Sequence, residues 1–113
     1  MWSSMNWIIL TSLAQLDDIQ TAHEKVAVFK HSTRCPISGM AKRGLELDAD
    51  LIPEGAKFYF LDVLEYRDVS NSISERWHVR HESPQLLILQ GTDSLYHASH
   101  ENIDMATACS FFA

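Results

Sequence analysis

Val26-Ala27-Val28-Phe29-Lys30-His31-Ser32-Thr33-Arg34-Cys35-Pro36-Ile37-Ser38 passes through three kinds of chain in one short stretch. The first four residues are apolar and β-branched or aromatic for the most part, the composition of a buried strand. Lys30 to Arg34 is polar and reads as a turn. Pro36 then stands where its fixed φ and missing N–H suit the first position of a helix, and Ile37, Met40, Ala41, Gly44 and Leu45 fall on one helical face. Cys35 is therefore expected at a helix N-terminus, at the end of a central strand.

Working outward from this unit gives the order of the remaining elements. Upstream, Ser12-Leu13-Ala14-Gln15 has the spacing of a capping box, and Leu13, Leu16 and Ile19 recur as an amphipathic helix would require, ending near His23. Downstream, Phe58-Tyr59-Phe60-Leu61-Asp62-Val63 reads as a second central strand, and Ser70 is placed to cap a helix through about Val79 with Ile73 and Trp77 inward. Leu86-Leu87-Ile88-Leu89, the turn Gly91-Thr92-Asp93 and Ser94-Leu95-Tyr96-His97-Ala98 predict an antiparallel hairpin. Met105, Ala108, Cys109 and Phe112 line one face of a last helix. Right-handed β-α-β crossovers followed by a hairpin and a closing helix predict an α/β fold, a thioredoxin-like three-layer α/β/α domain with a mixed sheet. With no internal repeat and no linker, residues 1–113 read as a single domain.

Composition narrows the partners. The 113 residues are 46% hydrophobic, enough for one core, and the net charge of −6 without a basic stripe argues against nucleic acid. Two cysteines are too few for a disulfide framework, which points to a reducing compartment and makes the cytoplasm the expected location. Trp7-Ile8-Ile9-Leu10 is too short for a membrane span and has no basic segment before it, so neither a leader nor a membrane partner is expected.

The chemistry is expected at Cys35. Unpaired amides and the helix dipole favour a thiolate there, and adjacent Arg34 adds to the effect. Cys35-Pro36-Ile37-Ser38 keeps the spacing of a C-x-x-C redox motif but places an oxygen where the second sulfur would stand. A dithiol resolves its own mixed disulfide, whereas Ser38 can only donate a hydrogen bond to the Cys35 sulfur, so the mixed disulfide waits for an outside thiol. Such a site suits removing or carrying a small thiol capped onto another protein. Glu82-Ser83-Pro84-Gln85 precedes the third central strand, where Pro84 is expected to be cis and Ser83 to offer its backbone to an extended substrate opposite the sulfur. Lys30 and His31 are candidates for holding a negative substrate or the thiolate, and Thr33 for steadying the loop.

Other residues take plainer roles. Cys109 lies on the apolar stripe of the last helix and reads as an inert core residue. His78 with His81, and His97 with His100, join no cysteine or carboxylate in a ligand pattern; they read as solvated, and no metal is expected. Trp77, Phe58 and Phe60 are assigned to packing.

Phe29-Lys30-His31-Ser32-Thr33-Arg34-Cys35-Pro36-Ile37-Ser38, Arg67-Asp68-Val69-Ser70-Asn71 and His81-Glu82-Ser83-Pro84-Gln85 together resemble the monothiol bacilliredoxin family. The resemblance implies a thioredoxin fold in which Cys35 attacks a protein–bacillithiol mixed disulfide and takes over the small thiol, which a free thiol then removes. It implies no bound cofactor, bacillithiol or another low-molecular-weight thiol as cosubstrate, S-thiolated proteins as partners, and a monomer or weak dimer. Two alternatives stay open: a glutathione-linked monothiol glutaredoxin-like protein, and a non-catalytic thioredoxin-fold binding module or iron–sulfur carrier.

Overall fold

The computed structural model describes residues 5–113; the expectations of one domain over 1–113 and of no leader extend, at residues 1–4, outside the described residues. Its centre is β2 (Lys25–His31), flanked on one side by parallel β3 (Lys57–Asp62) and on the other by antiparallel β4 (Gln85–Gln90). β1 (Trp7–Ile9) runs parallel beside β3, and β5 (Asp93–Ser99) closes the opposite edge, giving a mixed sheet in the order β1-β3-β2-β4-β5. Four helices cover it: α1 (Leu13–Ala22), α2 (Pro36–Leu47), α3 (Arg67–Trp77) and α4 (Met105–Ser110).

Alternation along β2 sorts the core into two halves. Successive side chains of a strand point to opposite faces, so Val26 and Val28 pack with Leu16, Ile19, Val69, Ile73 and Trp77 from α1 and α3. Ala27 and Phe29 pack with Leu45, Met105 and Ala108 from α2 and α4. Each large apolar side chain buried this way contributes about 1.5–3 kcal/mol relative to exposure. The three-layer architecture follows from that two-sided burial.

Local signals account for the joints. Ser12 caps α1 with Gln15 reaching back, and the helix ends on His23 in the left-handed region at φ 57°. Gly91 turns the hairpin at φ 59°, where an added Cβ would meet His23 Nδ1 at 2.7 Å, and its carbonyl accepts from Trp77 Nε1 at 2.9 Å. Glycine suits both that backbone angle and the close approach of His23.

Two expectations, for Lys30 with His31 and for Ser70, are corrected, and two features not assigned from sequence appear. Trp7-Ile8-Ile9 forms an edge strand, too short to show alternation, held by Trp7 against Phe29, Phe58 and Phe60 at 5.5–6.3 Å between ring centroids. Lys30 and His31 belong to β2 rather than to the turn, because their buried environments satisfy polar side chains that composition assigns to solvent. Ser70 does not cap α3: its N–H donates to Tyr66 O one turn into the helix, which starts at Arg67. Ile37 and Met40, on the apolar face of α2, are 50% and 69% exposed, and α2 buries only Ser38 and Leu45 fully.

Candidate active site

Cys35 is the N-cap of α2, in extended conformation at φ −107° and ψ 116°, with Pro36 at the first helical position. A tight turn delivers it, closed by Cys35 N–H donating to Ser32 O at 3.2 Å, and the helix begins with Gly39 N–H donating to Cys35 O at 3.2 Å. The start of a helix leaves its first amides without intrahelical acceptors, and Pro36 has no N–H, so Ile37 and Ser38 contribute the free donors beside Cys35. The Cys35 side chain makes no capping bond and is half-buried. The sulfur thus stands at the positive end of a twelve-residue helix, accessible from outside.

Ser38 is turned away from that sulfur. It is fully buried, its Oγ accepts from Ser32 N–H at 3.0 Å, and it lies 2.7 Å from His31 Nδ1. The expected hydrogen bond to Cys35 is absent among the described residues. The reason is His31: as the last residue of β2 it falls on the α2 face by strand alternation, packs 5.9 Å from Phe29 and 5.3 Å from Phe60, and offers Ser38 an inward partner. Burial, followed by the nearby Lys42 charge, lowers the His31 pKa from its ordinary value, so at neutral pH it is the uncharged imidazole that meets the hydroxyl.

Lys30 takes the opposite face. It is 0% exposed, and its ammonium donates to Ser70 O at 3.3 Å and Ser74 Oγ at 3.4 Å and lies 3.2 Å from His81 Nδ1. Burial lowers its pKa from 10.5 to about 8. The expectation that Lys30 touches substrate is corrected: a side chain with no exposed surface holds α3 and the segment at His81 instead. His81 is exposed, as its reading as a solvated histidine expects, but one ring nitrogen turns toward this cluster. Its Nδ1 also lies 3.2 Å from Ser70 Oγ, and its pKa is lowered by burial and by the Lys30 and Arg67 charges.

The Ser83–Pro84 peptide is cis, as expected, and Pro84 is buried. Lys30 pairs with Gln85 across the antiparallel register, so the next residues outward, His31 and Pro84, lie at the same end of the sheet, from which the turn leads to Cys35. Pro84 O accepts from His100 N–H at 3.1 Å, which fixes the segment from its other side. Thr33 and Arg34 are exposed and line a shallow depression with Arg67, Asp62 and Glu65. The structure therefore gathers Cys35, Thr33, Arg34, Pro36, Ser83 and Pro84 at one end of the sheet and sends Ser38 and Lys30 inward.

Cys109 is 8% exposed within α4, and burial pushes its thiol up. Among the described residues no three His, Cys, Asp or Glu side chains gather as metal ligands, and no helix is long and apolar enough to cross a membrane. Sequence reasoning did not find His81 as the partner of Lys30, and no spacing could have revealed it, since the contact joins a strand to a distant loop.

A parallel-then-antiparallel sheet with a cysteine capping the helix after its central strand defines a thioredoxin-fold oxidoreductase. Solved structures agree. One described as a candidate oxidoreductase with a thioredoxin fold is 28% identical with a TM-score of 0.75, over 93% of this chain and 91% of that one. Thioredoxin from Malassezia sympodialis is 16% identical with a TM-score of 0.72, over 99% and 91%, and thioredoxin from Trypanosoma brucei brucei is 16% identical with a TM-score of 0.70, over 86% and 80%. Within that class, the profile of the monothiol bacilliredoxin BrxC family matches residues 8–107, and the chain belongs to this family.

Proposed function

We propose that the protein removes a low-molecular-weight thiol, bacillithiol by its family, from protein mixed disulfides through Cys35. The observation that supports this most is a half-exposed cysteine at the N-cap position of α2, with serine rather than cysteine at the fourth position of the motif and that serine committed to His31 and Ser32. The Cys35 thiolate attacks the small thiol's sulfur in the mixed disulfide. A bond forms between Cys35 and the small thiol, the bond to the substrate protein breaks, and the substrate leaves as a thiolate that takes a proton from water. One disulfide has replaced another, with no net oxidation. A second small thiol, as its thiolate, then attacks the Cys35 adduct, releasing the oxidised small thiol and restoring the Cys35 thiolate.

The free amides of the first α2 turn stabilise negative charge on Cys35 when it is the nucleophile and again when it is the leaving group. The cis-Pro84 segment offers Ser83 backbone to an extended substrate. Arg34 and Thr33 stand at the rim, where a cation favours the approach of an anionic small thiol. The partners are S-thiolated proteins and the small thiol, no bound cofactor takes part, the chain acts as a monomer or weak dimer, and the cytoplasm supplies the reducing conditions.

The test is a purified protein carrying bacillithiol on one cysteine, incubated with the native chain, with Cys35→Ser and with Cys109→Ser in the presence of free bacillithiol. Release is expected from the native chain and Cys109→Ser and absent from Cys35→Ser; equal release by Cys35→Ser would end the proposal. Parallel reactions with glutathione identify the small thiol by the larger rate.

A further inference from the structure

An apolar groove of about 410 Å³ runs beside α2, between it and the segment joining β5 to α4. Its walls are Ile37, Met40 and Gly44 on one side and Ile103 and Met105 on the other. Ile37 and Met40, from the apolar face of α2, are 50% and 69% exposed there. Flexible methionine on an open apolar surface suits varied side chains.

Two features identify the occupant. The groove is continuous with the reactive end: Ile37 lies in the turn that Cys35 caps, and His100, which lines the groove, donates its N–H to Pro84 O. The rim is acidic, with Asp48, Glu101 and Asp104 and no lysine or arginine in the lining. Three carboxylates disfavour an anionic small thiol and a second copy of a chain whose net charge is −6. They favour a cationic polypeptide. At ~1.5 Å rise per helical residue, Gly44 lies ~13 Å from Cys35 along α2, the reach of about four residues of extended chain.

We infer that this groove receives the polypeptide flanking the thiolated cysteine of the substrate protein, taking an apolar side chain about four residues away with lysine or arginine beside it. The inference rests on the proposed exchange at Cys35 and names the recognition that accompanies it. Small-thiol transfer is common to every substrate, and the groove selects among proteins.

Gly44 makes a clean test, because nothing lies within 4 Å of an added Cβ and a side chain there projects into open groove space. Gly44→Leu should fill the groove without straining the helix, since replacing a mid-helix glycine favours helix formation. The probes are eight-residue peptides with serine replacing the modified cysteine and, four positions to either side, Leu-Lys or Ser-Glu. Binding is measured by isothermal titration to the native chain and to Gly44→Leu. One Leu-Lys peptide should bind the native chain at least about tenfold tighter than its Ser-Glu counterpart, with the preference lost in Gly44→Leu, that factor being about 1.4 kcal/mol. Equal binding of all peptides, or a preference that survives Gly44→Leu, would overturn the inference. So would self-association of the native chain that Gly44→Leu abolishes while peptide binding is unmoved. Exchange on the bacillithiol disulfide of N-acetylcysteine amide, which has no flanking chain, reports separately on Cys35. Its failure defeats the proposed function, while peptide preference without it leaves the groove a peptide site.

Discussion

The chain's two cysteines are the same residue in opposite settings. Cys35 precedes a helix, half-exposed, beside amides that have no acceptor within the helix. Cys109 sits inside one, within the apolar cluster that includes Phe58 and Met105, in a core that pushes its thiol up. Position relative to a helix and to the core, rather than residue type, separates a reactive sulfur from a packing one.

The widest separation should be in alkylation of the folded protein. Iodoacetamide at neutral pH should modify Cys35 at least about a hundredfold faster than Cys109, which becomes equally reactive only in denaturant. Comparable native rates at the two positions would erase the contrast. Ser38→Cys would sharpen it by giving Cys35 a second sulfur three residues on, within disulfide reach across one helical turn. Mild oxidation of that variant should remove two thiols together as the new side chain leaves the inward position Ser38 holds, whereas loss of Cys35 alone would show that position 38 stays turned toward His31.

A subtler contrast lies between neighbours on β2. Lys30 and His31 point to opposite faces, one binding α3 and His81, the other Ser38. The folded Lys30 pKa of about 8 lies below the 10.5 of the unfolded chain, so between those values the unfolded chain holds more protons. Stability from this group is therefore gained as pH rises from 8 to 10.5, on the order of 3 kcal/mol, and is missing at neutral pH. Lys30→Met should be more stable than the native chain at pH 7 by about 1–3 kcal/mol in urea melts, with the advantage shrinking above pH 8. A variant less stable at pH 7 would show that the buried cation contributes net binding of α3. The smallest effect belongs to His31 and His81, whose lowered values make both folded imidazoles bind fewer protons than unfolded ones. Stability should be full above about pH 6.5 and decline as pH falls below it; a decline absent from the native chain would show that neither ring's surroundings disfavour its charged form.

The architecture was legible because β2 and β4 are continuous apolar runs and the helices carry caps, stripes and Pro36. Those signals are local. Trp7–Ile9 was missed as a strand because three residues cannot display a period, and Lys30 was misplaced because its acceptors come from α3 and the segment before β4. At the site, Cys35, Pro36 and cis-Pro84 could be placed from the motif and its flanks. The direction of Ser38 could not, since it depends on a neighbour six or seven residues away being on the same face of the sheet. Ile37 and Met40 obey helical spacing yet face a groove, because periodicity marks an apolar face without saying whether the protein itself covers it.

Intact mass of the native chain after exposure to oxidised bacillithiol, followed by peptide mapping, probes the reactive sulfur most directly. One adduct of one small thiol, confined to Cys35 and released by excess free thiol, is the expected result. An unmodified Cys35 under those conditions, or an adduct on Cys109 instead, would contradict the account.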